Sequence, residues 1–169
     1  ATPNGNNMSL FINTTNGVVI NGVSTVTTAD VSVDNGTIHA VDAVIGLPTV
    51  VTFAAADPNF TILVTALTRS DLTFDFVGAL STANGTDPAP FTVFAPTNQA
   101  FVDLLEELGV ESLDDIDEPT LTATLKMHAV AGANVVASDL SDGLTISTLG
   151  GDITANVTGD GATLTDAND

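Results

Sequence analysis

Two histidines, His39 and His128, are the side chains of this sequence best suited to move a proton near neutral pH. The chain has no cysteine, which excludes thiolate nucleophiles and zinc–thiolate sites. The spacings HExxH, GxSxG, GxxxxGKS/T and GxGxxG are all absent. A carboxylate pair for glycoside hydrolysis is not excluded by counting alone. The sequence therefore predicts a non-catalytic protein, in which each histidine is either a core residue bonded to a backbone carbonyl or a ligand or partner contact.

An acidic cluster is the only candidate for a metal site. It consists of Asp114, Asp115, Asp117 and Glu118, which supply the oxygen ligands that calcium prefers. The cluster lacks the spacing and the glycine of an EF-hand loop. The alternative is that it forms an acidic cap for a helix that starts near Pro119, where the helix dipole favours negative charge. Calcium is accordingly the one cofactor that the sequence leaves open.

The charge balance restricts the partners. The chain has 21 acidic residues, only Arg69 and Lys126 to oppose them, and a formal net charge of −19. Nucleic acid binding needs clustered Lys and Arg, and anionic membranes attract basic segments, so neither partner is expected. Salt or divalent cations would screen the self-repulsion of such a chain. A salty or calcium-containing exterior is the predicted setting, at the cell surface or secreted.

Membrane insertion and targeting signals are not expected within this sequence. No apolar run reaches the roughly 18 residues that a membrane-spanning helix needs. The first residues, ATPNGNNMS, have neither the basic start nor the apolar centre of a signal peptide.

Two hairpins are predicted before residue 48. The first spans residues 10–20 and turns at Asn16 and Gly17, and the second pairs residues 26–33 with 37–45 through the tight-turn sequence DNG. Because both faces of 37–45 are apolar, we expect a central strand. Asp42 lies in this strand and needs hydrogen-bond donors, either backbone N–H groups or a hydroxyl such as that of Thr92 or Thr97.

A helical region follows Pro48, so the chain is predicted to be α+β. A helix start is expected at Asp57 and Pro58, and a short helix at 72–80. FTVFA (91–95) is predicted to be a buried strand, with a helix capped by Thr97 and ended by Gly109. Residues 118–128 form a further predicted helix with His128 on its apolar side. Short strands separated by Gly and Asp turns are expected after Ala129.

FTVFAPTNQAF (91–101) closely resembles the first signature motif of the fasciclin domain family, and NGTIHAVDAVIGLP (35–48) resembles the second. LTATLKMHAVAG (121–132) resembles the Tyr-His region of the family, with Met127 where tyrosine is usual. The resemblance implies a fasciclin-like fold, a sandwich or wedge of short strands with helices on one side. It also implies a set of fold-determining residues, namely Phe91, Phe94, Pro96, Thr97, Asn98, Phe101, Asn35, Gly36, His39 and Asp42.

The order of these motifs differs from that of the family. Residues 1–48 resemble the C-terminal third of a fasciclin domain and residues 49–169 the N-terminal two-thirds, as if the chain were a window from a tandem array. ITANVTGDGATLTDA (153–167) also aligns without gaps on SLFINTTNGVVINGV (9–23). Two outcomes stay open: one composite, circularly permuted domain, or completion by strand exchange between copies, which could produce a filament.

The resemblance implies a non-catalytic, extracellular adhesion or structural module. Its expected partners are other copies of the protein or other cell-surface and matrix components. The alternative is a calcium- or glycan-binding surface module. Family adhesion sites carried over to this sequence are His128, Met127, Ala129, Val130, Ile38 and His39.

Overall fold

The computed structural model describes residues 9–159 and 161–166. The chain divides into two compact units, residues 1–58 and 59–169. Both contain antiparallel strands, with one α-helix among the described residues of the first unit and four in the second, in agreement with the predicted α+β class.

The first unit contains an antiparallel sheet with the order β1-β2-β3-β4. Its strands are β1 (Ile12–Asn13), β2 (Val19–Ile20), β3 (Ser24–Val33) and β4 (Gly36–Val41). The predicted tight turn between β3 and β4 is confirmed, because Val33 pairs with Gly36 across it. Helix α1 (Val50–Ala56) follows, capped at its N-terminus by the Thr49 side chain.

Two buried polar residues hold the first unit together. Asn21 is 5 % exposed, accepts a 2.9 Å hydrogen bond from the Phe11 N–H on its side chain and donates its own N–H to the Phe11 carbonyl at 2.8 Å. The Ser24 hydroxyl donates to the Ala43 carbonyl at 2.7 Å. Gly22 follows at φ 69° and lies so close to α1 that an added Cβ would stand 3.0 Å from the Ala56 Cβ. A side chain at position 22 is therefore excluded by both backbone and space.

Strand β4 differs from the expectation in length and place. It ends at Val41 rather than at residue 45, and it lies at the end of its sheet rather than in the centre. All six of its residues are exposed. Apolar residues on both faces of a strand favour a central position in a sheet, but a central strand also needs a second neighbouring strand. Asp42 follows β4, and its Oδ1 accepts from the Thr25 N–H at 2.7 Å, which confirms the backbone alternative.

Helices of the second unit begin and end largely where local signals predict. The helices are α2 (Thr61–Leu67), α3 (Phe76–Leu80), α4 (Asn98–Leu108) and α5 (Glu118–Met127). The Thr97 hydroxyl caps α4, and Gly109 ends it in the left-handed region at φ 67°. Asp117 caps α5 by accepting the Thr120 N–H at 3.0 Å.

Two helix starts differ from the prediction. Residues 58–60 form a 3-10 turn before α2 begins at Thr61. Helix α3 begins only at Phe76, because Asp75 caps it there with a 2.8 Å hydrogen bond from the Gly78 N–H. On α4, Phe101 is buried, whereas Ala100 and Leu108 are exposed.

Two small sheets complete the second unit. Strand β5 (Phe91–Val93) pairs with β6 (Ala129–Ala131), and β7 (Leu144–Ser147), β8 (Asp152–Thr158) and β9 (Gly161–Thr165) form a meander. Every apolar side chain of the described residues that is fully buried lies in this unit. The helical part of the core consists of Leu63, Ala66, Leu67, Phe76, Leu80, Phe101, Ile116, Leu121 and Leu125; the sheet part consists of Ala129, Val130, Ile146, Ile153 and Ala155.

Both cations of the chain are engaged within the second unit. Arg69 Nη1 donates to the carbonyls of Leu113 and Ile116 at 2.6 and 2.7 Å, while Nε and Nη2 donate to Asp71 at 2.7 and 3.0 Å. Lys126 Nζ lies 4.7 Å from the centre of the Phe74 ring, a cation–π contact. Arg69 thus ties the end of α2 to the segment that leads into α5.

We expect Arg69→Ala to lower the free energy of unfolding by about 2 kcal/mol, because the Leu113 and Ile116 carbonyls lose a charged donor. Urea denaturation measures the change. Asp71→Ala is the control, since it leaves both carbonyl contacts in place and should cost much less. Equal losses in the two variants would contradict this role of Arg69.

Candidate functional site

His128 links a strand to a helix at the centre of the second unit. It is the C-terminal cap of α5 and immediately precedes β6. Its Nδ1 lies 2.9 Å from the Phe94 carbonyl, and the Phe94 N–H donates to the His128 carbonyl at 2.9 Å. A carbonyl only accepts, so we assign the proton to Nδ1. These reciprocal hydrogen bonds agree with the predicted core histidine bonded to a backbone carbonyl.

Two cavities meet at His128. The first, which we call the helix cleft, has a volume of about 350 Å³. Its lining is formed by Pro96, Ala100, Phe101, Asp103, Leu104, Glu107, Thr124, Leu125 and His128. The second, which we call the sheet cavity, has a volume of about 480 Å³ and is lined by Phe94, Ala95, Met127, His128, Ile153, Leu164, Thr165 and Asp166. His128 is thus both a structural residue and part of an open surface.

The helix cleft combines apolar walls with two carboxylates. Asp103 and Glu107 lie one turn apart on α4, and Phe101 and Leu104 supply apolar lining from the same helix. Gln99 Nε2 donates to Asp103 Oδ1 at 2.8 Å and so orients that carboxylate. Such a cleft can receive an apolar group that carries a neighbouring positive charge.

Met127 is packed against the loop between β7 and β8. Its Sδ lies 3.8 Å from the Thr148 hydroxyl. A Cβ on Gly150 would stand 2.7 Å from the Met127 nitrogen and 2.8 Å from Sδ. The sequence gives no obvious sign of this contact, because Gly150 and Met127 are far apart in the chain.

The remaining residues predicted to contact partners have different surroundings. Ala129 and Val130 are 2 % and 3 % exposed in β6, so they support the site from beneath rather than face a partner. Ile38 and His39 lie on β4 of the first unit, and the His39 Nδ1 accepts the Asp30 N–H at 3.2 Å.

The first motif holds the second unit together at long range. Asn98 Oδ1 accepts the Ile62 N–H at 2.9 Å, which ties α4 to α2. The Thr92 hydroxyl donates to the Ala133 carbonyl at 3.0 Å and accepts the Val135 N–H at 2.8 Å. Sequence reasoning did not assign these roles to Thr92 or Asn98, because their partners lie far away in the chain.

Three carboxylates of the acidic cluster accept hydrogen bonds from nearby backbone and hydroxyl groups. Asp115 Oδ2 accepts the Ser112 N–H and hydroxyl, both at 2.9 Å, and Glu118 Oε1 accepts the N–H and hydroxyl of Thr73 at 3.0 and 2.9 Å. The pKa of Asp117 is lowered mainly by the hydrogen bond from the Thr120 N–H, with a further contribution from the Thr120 hydroxyl. The pKa of Glu118 is lowered mainly by the hydrogen bond from the Thr73 N–H. Over residues 9–159 and 161–166, no three His, Asp or Glu side chains are grouped so that they could hold a metal ion. Asp115 and Asp117 thus act as caps and Glu118 binds Thr73, while calcium binding at Asp114, Asp115, Asp117 and Glu118 stays a prediction.

The lowered pKa values predict acid sensitivity. Three carboxyl groups, those of Asp71, Asp117 and Glu118, have a lowered pKa. For Asp71 the main cause is the hydrogen bond from the Arg69 side chain. A carboxyl whose pKa is lower in the folded state stabilises the fold above its unfolded pKa, and this contribution is lost as the pH falls through the folded value. The free energy of unfolding should therefore fall as the pH drops below about 4.

Glu118→Gln should show a shallower fall in the free energy of unfolding than the wild type when urea denaturation is measured across this pH range. Glu106→Gln, an exposed control, should keep the wild-type slope. Identical slopes in the two variants would refute the assignment to Glu118.

Gly150→Ala should destabilise the fold by about 1–3 kcal/mol, because the new methyl group would overlap the Met127 backbone. The matched control is Gly159→Ala, since no atom lies within 4 Å of the Cβ position there. Thermal unfolding of both variants measures the difference. If Gly159→Ala costs as much, the close approach at Met127 is not what requires glycine.

The comparisons with known proteins identify the family. The fasciclin domain family matches residues 1–48 and 58–168. The chain belongs to the fasciclin domain family. It is 32 % identical over 123 residues to a fasciclin-like arabinogalactan protein of Arthroderma benhamiae, an alignment that covers 73 % of this chain and 26 % of that protein. It is 38 % identical over 86 residues to an uncharacterized protein of Synechocystis sp., covering 51 % of this chain and 56 % of the relative.

Family membership supports the coarse functional class. Fasciclin domains are typical of extracellular and cell-surface proteins, are generally non-enzymatic, and indicate an adhesion-type module. The chain spans 26 % of the length of the Arthroderma benhamiae protein and 56 % of the length of the Synechocystis protein. Among the helices that the structure describes, none alone is long and apolar enough to cross a membrane, and only α1 taken together with residues 58–67, as a bent pair, passes that test by length and composition.

Proposed function

We propose that this fasciclin domain chain is a non-catalytic adhesion module that binds a cell-surface or matrix component in the helix cleft. The observation that carries the proposal is the lining of the cleft, in which apolar side chains stand beside the carboxylates of Asp103 and Glu107. The partner is a protein segment in which a bulky apolar residue is followed by Lys or Arg. The apolar group enters the cleft and the cation pairs with a carboxylate.

The charge of the whole chain favours the same partner. Arg69 and Lys126 are the only Lys or Arg in a chain of net charge −19, and both already have partners within the second unit. A basic segment is therefore attracted over a distance, and added salt should weaken its binding.

The position of His128 supports the helix cleft, rather than the acidic surface in general, as the binding site. Its Nδ1 is committed to the Phe94 carbonyl, so the ring is held in place at the point where the cleft meets the sheet cavity. An ordered wall of this kind costs little entropy when a partner binds. Met127 lines the sheet cavity and lies so close to Gly150 that no side chain fits between them. We assign it a supporting role for the His128 wall.

A calcium- or glycan-binding surface is the second candidate. The many carboxylates favour calcium, whereas the absence of Tyr and Trp removes the aromatic side chains on which sugars usually stack. A melting temperature that rises with millimolar calcium would support this candidate, and an unchanged one would count against it.

The test uses beads coated with the chain on surfaces of immobilised Gly-Ser peptides that contain Leu-Lys, Leu-Glu or Ser-Lys. Retention should be strongest on Leu-Lys and should decline with added salt. The double variant Asp103→Asn/Glu107→Gln should reduce retention on Leu-Lys about tenfold. The control double variant Glu106→Gln/Glu111→Gln removes the same charge from outside the cleft and should retain most of the binding. Equal loss in both double variants, or no preference for Leu-Lys over Ser-Lys, would reject the cleft as the binding site.

Two substitutions of His128 distinguish its structural role from its role in binding. Asparagine can replace the Nδ1 donor, whereas glutamine extends past it, so His128→Asn should keep more stability than His128→Gln. If both variants are as stable as the wild type and both bind Leu-Lys peptides normally, His128 has no part in the site.

A further inference from the structure

Met127, the last residue of α5, carries the one thioether among the described residues. The chain has no cysteine, tyrosine or tryptophan, and Met8, which lies outside the described residues, is its only other methionine. With no thiol present, a methionine sulfur is the group that peroxides oxidise most readily here. Its surroundings therefore decide how the second unit responds to an oxidant.

An oxidant can reach Met127 through the sheet cavity. The side chain is half-buried and forms part of the lining of this cavity. A volume of about 480 Å³ is ample for a molecule as small as hydrogen peroxide. The same side chain packs against the buried cluster of Val130, Ile146, Ile153 and Ala155. Met127 thus lies between an open cavity and the apolar core of the strands.

The loop between β7 and β8, residues 148–151, lies against the sulfur. A Cβ at Gly150 or Gly151 would stand 2.8 or 3.5 Å from Met127 Sδ, so the backbone of both glycines passes close to it. The Thr148 hydroxyl lies 3.8 Å from the sulfur. Because these neighbours are mainly backbone in a closely packed place, an atom added to the sulfur on this side must move the loop.

Thr148 holds this loop together through a single hydroxyl group. Its Oγ1 accepts the N–H groups of Gly150 and Gly151, both at 3.1 Å, and donates to the Gly151 carbonyl at 2.6 Å. A hydroxyl has one proton to donate, and the short contact to the carbonyl takes it. The Met127 sulfur is then left without a full hydrogen bond, so its lone pairs stay available to an oxidant.

We propose that Met127 is an oxidation site and that its sulfoxide releases the loop of residues 148–151 from α5. Hydrogen peroxide transfers one oxygen atom to Sδ: the S–O bond forms, the O–O bond breaks, the sulfur loses two electrons and water leaves. The new oxygen is a stronger hydrogen-bond acceptor than the thioether sulfur. It therefore competes with the Gly151 carbonyl for the proton of the Thr148 hydroxyl.

The change extends from the loop to the neighbouring strand. The Leu149 N–H donates to the Ala129 carbonyl at 2.8 Å, which joins the loop to β6. A sulfoxide is also polar, so it packs less well than a thioether against the apolar cluster that Met127 contacts. Methionine sulfoxide reductases restore the thioether, and the change is therefore reversible.

The first test measures access. Met8→Leu is the starting variant, because Met127 is then the only methionine of the chain. Hydrogen peroxide should add one oxygen atom to its intact mass, at a rate within about tenfold of that in the urea-unfolded chain, since the cavity admits the oxidant. A folded chain that reacts about a hundredfold or more slowly would contradict access through the sheet cavity.

Hydrogen exchange then locates the effect. In the oxidised chain, the amides of Leu149, Gly150 and Gly151 should lose about tenfold or more of their protection. The Ala79 N–H, which donates to the Asp75 carbonyl at 3.1 Å in α3, is the internal control and should keep its protection. Equal losses at both places would mean general unfolding instead of release of the loop. Unchanged protection in the loop would reject the proposal as well.

Thermal unfolding provides a matched control variant. The oxidised Met8→Leu chain should melt about 5 °C or more below its untreated form. Treatment with methionine sulfoxide reductase should restore the original melting temperature. Met8→Leu/Met127→Leu nearly conserves side-chain volume and has no sulfur, so it should keep its mass and its melting temperature in peroxide.

Two results of this comparison would overturn the proposal. One is an equal fall of the melting temperature in both chains, which would place the damage elsewhere than at Met127. The other is an oxidised Met127 with an unchanged melting temperature. The reductase step tests the native side chain itself, so the conclusion does not depend on the double variant. None of these measurements uses peptide binding in the helix cleft, so they stand apart from the proposed function.

Discussion

The reciprocal hydrogen bonds between Phe94 and His128 join the two parts of the core in the second unit. His128 ends α5, whose Leu121 and Leu125 are buried among helices, and begins the run into β6, whose Val130 is buried among strands. Phe94 stands at the end of β5 and is bonded through both its N–H and its carbonyl. A single residue pair therefore sets the position of a strand, a helix and the walls of both cavities.

Charge is the second constraint on the structure, because the chain has few cations to oppose its carboxylates. Each cation of the chain has an intramolecular partner, Asp71 and two carbonyls for Arg69 and the Phe74 ring for Lys126. The surface is consequently dominated by carboxylates, which attract basic segments and repel copies of the chain.

Helix boundaries followed from the sequence where the deciding contact is local. Thr97, Gly109 and Asp117 act within one turn of their own positions, so their residue types were sufficient. The Asp75 cap, which delays α3 to Phe76, is equally local and was overlooked. Thr92, Asn98 and Gly150 could not be assigned, because their partners Ala133, Ile62 and Met127 become neighbours only in the folded chain.

The sequence by itself determined the family, through the motifs at 91–101 and 35–48, the strongly acidic surface and the tight turn before Gly36. The tertiary structure alone decided that β4 is an exposed end strand, that Glu118 accepts hydrogen bonds from the distant Thr73 and that Asp103 and Glu107 line an apolar cleft. The physical reason is the same in each case. Residue types specify what a side chain can bond and whether it favours burial, whereas the partner that satisfies or covers it is supplied by distant parts of the chain.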